Sequence, residues 1–210
     1  MATSLAKENI LKRIREALIN PVPLPFPQSE GHDSVFVHSD EEPIVVFAQE
    51  FIKLQGKFAF CTDGNDFNLQ LQHLIIQRKW NKVFCIENEL QQQLQIINIT
   101  NYDDLPSCDV AVTSCEYLVA RTGTIVMSTA LQSGRTASVY APVHICVAYT
   151  TQLVNDIKDA LQLMKEKYAD HFPSFITFAS GPSRTADIEK TLVTGVHGPK
   201  EVICFLIDSN

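Results

Sequence analysis

KFAFCTDGNDFNLQLQHLIIQRKWNKVFCI, residues 57–86, decides the fold. KFAFCT and KVFCI are short apolar runs with the composition of buried strands. Between them, FNLQLQHLIIQRKW spaces its apolar side chains as a helix does. Strand, helix and strand in that order form the unit from which parallel sheets are built.

The same alternation continues on both sides. IVVFAQEFIKLQ, residues 44–55, precedes the unit as a helix, and ENELQQQLQII, residues 87–97, follows it as a short polar-faced helix before the brief INIT. CDVAVT, TIVMST and VHICVAY read as further strands, VNDIKDALQLMKEKY as a long helix, and FITFA and VICFLI as the strands that close the sheet. Runs apolar at nearly every position belong to strands covered on both faces. The expected architecture is an α/β fold, a three-layer α/β/α sandwich with a largely parallel sheet. One link breaks the regularity. Only Ser114–Gly123 separate CDVAVT from TIVMST, too little for a helix with two connecting turns, so the pair is joined by a single helical turn or lies antiparallel.

The amino-terminal segment has a different character. Ser4–Ile19 places Leu5, Ile10, Leu11, Ile14, Leu18 and Ile19 near one face of a helix, and PVPLPFP, residues 21–27, stops that helix and imposes an extended connector. Residues 1–42 are therefore read as an amphipathic helix with a Pro-rich arm and 43–210 as the folded domain, the helix docking on its own domain or mediating a homo-oligomer.

Composition limits the function. The chain has 210 residues, 45% hydrophobic, and a formal net charge of -7, which disfavours nonspecific binding to nucleic acid or to an anionic membrane. The amino terminus mixes acid and base without an apolar core, and no stretch approaches the roughly 20 apolar residues of a membrane span. A cytoplasmic protein is expected. Six cysteines are scattered without a CxxC pair, so no metal site is expected in this chain. Patterns for dinucleotide, P-loop, zincin and nucleophile-elbow chemistry are missing.

Three segments hold residues suited to chemistry. In SGPSRTADIE, Gly181 permits a tight turn, Pro182 fixes the backbone, and Ser183 or Thr185 caps a helix whose free amides face the carboxyl edge of the sheet. With Arg184 this makes a cradle for a small carboxylate or a single phosphate, Asp187 disfavouring a more highly charged anion. A well-capped helix with a solvent-facing arginine is the competing reading. In GVHGP, Gly195 ends that helix and His197 is held between turns, with Gly198 beside it, as a general acid or base or as a turn-satisfying side chain. A continuous helix over 184–194 separates Arg184 from His197 by about 16 Å. In TSCEYLVARTGTIVMS, the turn Thr122-Gly123-Thr124 lets the backbone approach a ligand, and Glu116 is either functional or a local ion pair with Arg121. His144, inside an apolar strand, reads as a satisfied core histidine.

CDVAVTSCEYLVARTGTIVMST, the SGR loop, PVHICVA and GPSRTADIEKTLVTGVHGP together resemble the LUD domain of LutC-like lactate-utilisation proteins, from about residue 43 to the end of the chain. The resemblance implies a fold of the NagB/RpiA/CoA-transferase type and a role in oxidation of L-lactate to pyruvate beside iron-sulfur partner subunits, the clusters being carried only by those partners. The pattern carries over at Thr122, Gly123, Gly181, Pro182, Ser183, Ala186, Asp187, Ile188, Glu189, Gly195, His197, Gly198 and Pro199. It departs at Arg121, where many members have an acidic residue. A small carboxylate is then expected against Gly181–Thr185 and Arg184, faced by Thr122–Thr124, with His197 or Glu189 as proton carriers. Two readings compete with this accessory, substrate-handling role. One is an autonomous enzyme of the same fold acting on a sugar phosphate, acyl-CoA or folate-like substrate, with Glu116 or Glu189 as nucleophile. The other is a non-catalytic interaction protein.

Overall fold

A computed structural model describes residues 5–19, 41–186 and 192–209. Contacts divide the chain into two units, Met1–His38 and Ser39–Asn210. In the first, α1 (Leu5–Ile19) is the helix expected from its spacing. The Pro-rich stretch 21–27 lies outside the described residues. No described helix is long and apolar enough to cross a membrane.

The second unit opens with α2 (Pro43–Lys53), started by proline at its first position, and β1 (Lys57–Cys61). The Asp63 carboxylate accepts hydrogen bonds from Asn65 N and Asp66 N, both 2.8 Å, and so caps α3 (Gly64–Arg78). Next come β2 (Val83–Phe84), α4 (Asn88–Ile96), β3 (Val110–Thr113), β4 (Tyr117–Val119), β5 (Thr124–Ser128), α5 (Ala137–Tyr140) and β6 (Val143–Tyr149). The remainder is β7 (Leu153–Val154), α6 (Ile157–Tyr168), β8 (Ile176–Ala179), β9 (Arg184–Ala186), β10 (Leu192–Thr194) and β11 (Glu201–Ile207).

The central sheet is parallel throughout, in the order β1-β11-β6-β3-β2. Alternation along its strands divides two cores. Ile145, Val147, Ile203 and Phe205 face Phe67, Leu71 and Ile75 of α3 and Leu90 and Leu94 of α4. Cys146, Ala148, Val202, Cys204 and Leu206 point the other way, against Phe47 and Phe51 of α2 and Leu118, Ile125 and Met127 of a second sheet. Burial on both faces is why these strands are apolar at almost every position. Each fully buried large side chain contributes roughly 1.5–3 kcal/mol.

The second sheet has the order β7-β4-β5-β8, and α6 covers its outer face through Ala160 and Met164 against Val119 and Val126. It corrects two expectations. CDVAVT and TIVMST are in different sheets; the short connection contains β4, which returns through a helical turn at Ala120–Thr122 to pair antiparallel with β5. FITFA does not close the main sheet with VICFLI. As β8 it pairs with β5 in the second sheet and leaves Phe178 exposed, whereas the uniformly apolar β11 is interior, between β1 and β6.

A third correction concerns the segment after Gly181. The expected helix over 184–194 is an antiparallel pair, β9 with β10, in register at Arg184 and Thr194. Thr185, Val193 and Thr194 are β-branched and favour the extended form. Asp187, Ile188 and Glu189 lie outside the described residues.

Gly123 fixes α2 in place. Its φ is 54°, and an added Cβ would lie 2.7 Å from the Glu50 carbonyl carbon and 2.8 Å from the Phe51 Cα. Gly123→Ala should therefore combine a left-handed backbone penalty with displacement of helix backbone, about 3 kcal/mol in all. Gly134→Ala, at φ 59° with open space around it, should cost only about 1 kcal/mol. Urea unfolding of the two variants measures the difference.

Candidate functional site

The residues singled out by the sequence fall at two opposite edges of the central sheet. Pro142 and Lys200 immediately precede β6 and β11, so the chain around them marks the amino edge. Here the backbone N–H of Ser183 donates to the Pro199 carbonyl at 2.9 Å, that of Gly195 to the Ser183 carbonyl at 3.0 Å, and that of Lys200 to the Pro142 carbonyl at 2.8 Å. Arg184 donates through Nη2 to the Leu54 carbonyl, at the C-terminal end of α2. A cation at that end also complements the helix dipole. Gly181, at φ 84°, lets the same carbonyl pass where a Cβ would be 2.5 Å away.

The antiparallel pairing of β5 and β8 adds Thr122 and Thr124 to this group. Thr124 Oγ1 is 2.8 Å from Thr122 Oγ1 and 2.6 Å from Ser180 Oγ. Thus Thr122, Gly123, Thr124, Gly181, Pro182, Ser183, Arg184 and Gly198 lie together around the C-terminal end of α2. The helix N-terminus on which the anion cradle depended is not formed, and the cluster faces the amino edge rather than the carboxyl edge. Thr185 pairs with Val193 in the hairpin. His197 is exposed, and because the hairpin returns the chain to Thr194 opposite Arg184, the two residues share one end of it. The 16 Å helical separation does not apply.

Glu116 is elsewhere. Its side chain is fully buried and accepts hydrogen bonds from Ser128 Oγ at 2.5 Å, Tyr168 Oη at 2.7 Å and Lys167 Nζ at 2.9 Å. Ser128 and Thr124 are the two ends of β5, about 13 Å apart, so Glu116 does not join the Thr122–Gly181 group. Burial works against the Lys167 charge, but the Glu116 hydrogen bond and charge outweigh it and raise the Lys167 pKa. Burial and the same carboxylate push Tyr168 up. The expected Glu116–Arg121 pair is not formed. Arg121 instead makes two 3.0 Å bonds to Asp156, from Nε and Nη2, and Asp156 also caps α6. Each holds the other charged: Asp156 is lowered and Arg121 raised.

Glu116 follows the carboxyl end of β3, and a second buried carboxylate, Glu87, follows the carboxyl end of β2. Both Glu87 oxygens share the Ser114 N–H, at 3.0 and 3.1 Å. Gln152, after β6, donates through Nε2 to the carbonyls of Cys115 at 2.6 Å and Glu116 at 3.2 Å. The carboxyl ends of parallel strands are where open α/β sheets bind ligands. No three described His, Cys, Asp or Glu side chains are placed to hold a metal ion. The six cysteines are free and buried, and burial pushes Cys61 and Cys85 up to about 12.

Residues 35–207, which include every element of both sheets, match the LUD domain. The chain belongs to the LUD domain family. It is 32% identical over 185 residues to lactate utilization protein C of Anoxybacillus flavithermus, covering 81% of this chain and 82% of that protein. Against lactate utilization protein C of Bacillus licheniformis it is 32% identical over 110 residues, 51% of this chain and 46% of that protein. An uncharacterised protein of Neisseria meningitidis is 34% identical over 100 residues, 47% of this chain and 42% of its own length. The chain thus spans about half the length of most of these curated relatives. Among solved structures, a DUF162 family protein from Deinococcus radiodurans superimposes with a TM-score of 0.59 at 18% identity, over 81% of this chain and 99% of that one. That likeness supports the fold.

Within this LUD domain, the pattern residues Gly123 and Gly181 are explained by close approach of the α2 backbone, and Gly198 by the Ser183 side chain, whose Cβ is 2.9 Å from where a Cβ on Gly198 would stand. Arg121 is explained by its bond to Asp156. Reading the sequence missed Ser128, Lys167 and Tyr168, which reach Glu116 from other elements, and Glu87, which looks like an ordinary helix-leading acid. Ser180 had a signal, being the first residue of the SGPSR motif.

Two outcomes follow from the buried groups. Glu116→Ala should destabilise by about 2–3 kcal/mol, less than for a wholly buried pair because Lys167 is half exposed and can turn to water. Denaturant midpoints of this variant and Glu116→Gln measure the loss. His144 is buried, 2.8 Å from Thr113 Oγ1 through Nε2, and burial lowers its pKa from 6.5 to about 4. Below pH 6.5 the unfolded chain takes up a proton that the folded chain refuses, so stability falls as pH drops from 6.5 to 4, by on the order of 3 kcal/mol. In His144→Gln this part of the pH dependence should disappear, as read by urea midpoints at pH 7, 5.5 and 4.5.

Proposed function

We propose that this LUD-domain chain acts in lactate utilisation as an accessory or substrate-handling component of L-lactate oxidation to pyruvate, beside partner subunits that carry iron-sulfur clusters. The observation that carries this reading is the match to lactate utilization protein C of Anoxybacillus flavithermus over 82% of its length. The position of the cysteines is in keeping with it, because all six are core side chains. Electron transfer then belongs to the partners and ligand handling to this chain, the ligand being a small organic acid.

The structure also suggests how labour is divided within the domain. The amino-edge motif uses backbone and side-chain donors to hold α2 and the β9–β10 hairpin together, while the carboxyl edge keeps buried carboxylates next to strand ends. A bacterial strain lacking its own lactate utilization protein C tests the proposal. Expression of this chain should restore growth on L-lactate as sole carbon source, and the purified chain alone should not oxidise lactate. Failure to restore growth, where the Anoxybacillus protein succeeds, would overturn the assignment.

A further inference from the structure

Helix α1 (Leu5–Ile19) has 15 residues, a length at which an isolated helix in water is marginal unless its apolar face is covered. Its large apolar side chains are open to solvent: Ile10 is 59% exposed, Ile14 49% and Leu11 38%. With successive residues about 100° apart, Ile10, Leu11, Ile14 and Ala17 fall within about 120° of one another and form one stripe. Lys12 and Glu16 pair at 4.0 Å on the opposite face.

The charges that border the stripe select what covers it. Glu8 and Arg15 lie along one border, and Arg13 lies along the other. The midpoint of Glu8 and Arg15 falls between Leu11 and Lys12, at the middle of the helix. Antiparallel pairing of two copies about a two-fold axis through that point sets the same border of each helix side by side. Glu8 of each copy then stands beside Arg15 of the other, in reciprocal ion pairs. Lys7, on the stripe itself near the start of the helix, comes beside the last turn of the second copy's α1. That turn contains no basic residue of its own, and its carbonyl dipoles favour a cation. Parallel pairing would instead set Arg15 against Arg13, like charge against like.

We infer that α1 is a homodimerisation helix that pairs antiparallel with α1 of a second copy of this chain, the stripe of Ile10, Leu11, Ile14 and Ala17 meeting its counterpart and Glu8 bonding Arg15 across the two-fold axis. The contact is short, two helices of about 22 Å, so the dimer is reversible, with a Kd on the order of 10 µM. Nothing in this inference depends on the lactate reading.

Sedimentation velocity of the full chain, from about 1 to about 200 µM, reads the equilibrium directly. The wild-type chain should pass from monomer to dimer over this range, and Ile14→Asp should stay monomeric throughout. Ile76→Asp, at a side chain 68% exposed on α3, should dimerise as the wild type does, which separates the α1 stripe from general surface adhesion. Glu8→Arg and Arg15→Glu should each weaken the dimer about tenfold, because each turns both reciprocal ion pairs into like-charge contacts. The double variant Glu8→Arg, Arg15→Glu restores opposite charges across the axis and should return the Kd to within roughly threefold of wild type. A wild-type chain that is monomeric at about 200 µM, an Ile14→Asp variant that still dimerises, or a double reversal no tighter than the single ones would overturn the inference.

Discussion

The last strand of the chain occupies an interior place in the parallel sheet. β11 takes its hydrogen bonds from β1 on one side and β6 on the other, so the first and fourth strands of that sheet meet only through it. Everything between β6 and β11, including α6, part of the second sheet and the β9–β10 hairpin, is an excursion that must return to a slot of fixed width. Both hydrophobic cores use this strand: Ile203, Phe205 and Ile207 contribute to one, and Val202, Cys204 and Leu206 to the other. Its alternation is therefore tightly specified, because a shift of one residue would exchange the two sets.

The requirement explains the concentration of motif residues at the amino edge. The chain must enter β11 from a position beside α2, whose C-terminal end leads into β1. Pro199 and Lys200 tie that entry to Ser183 and Pro142, Gly181 lets the turn after β8 approach the Leu54 carbonyl, and Arg184 binds the same carbonyl. Gly123 closes the group by seating α2 against the turn into β5. Sequence features that resemble a ligand cradle thereby serve to align four segments that are distant in the chain.

The α/β class was legible wherever a strand is buried on both faces. VHICVAY and VICFLI need no partner to be recognised, because both faces are covered and, His144 apart, every buried position in them is apolar. The second sheet was hidden for the opposite reason: β4 and β7 have three and two residues, too few to show a period, and β8 is half exposed. GPSRTADIEKTLVTG misled because Ala186, Glu189, Lys190 and Leu192 favour helix locally, while antiparallel pairing of Arg184–Ala186 with Leu192–Thr194 overrides that preference. Gly181, Ser183, Gly195 and Gly198 were found because turns have a local signature. Glu87 and the partners of Glu116 have none; what distinguishes them is the number of donors within reach after folding.

The thiols have a consequence beyond packing. Cys115 and Cys146 are fully buried, with ionisation pushed well up: Cys115 by the neighbouring Cys146 sulfur and then by burial, and Cys146, against the opposing effect of Cys115, by the Cys204 sulfur and burial. Cys61, Cys85 and Cys108 are raised chiefly by burial. Since thiolates rather than thiols react with peroxides and disulfides, these five thiols are chemically quiet toward oxidants. With all six cysteines free, there is no disulfide for a mild reductant to open, and such treatment would leave the fold of this domain unchanged.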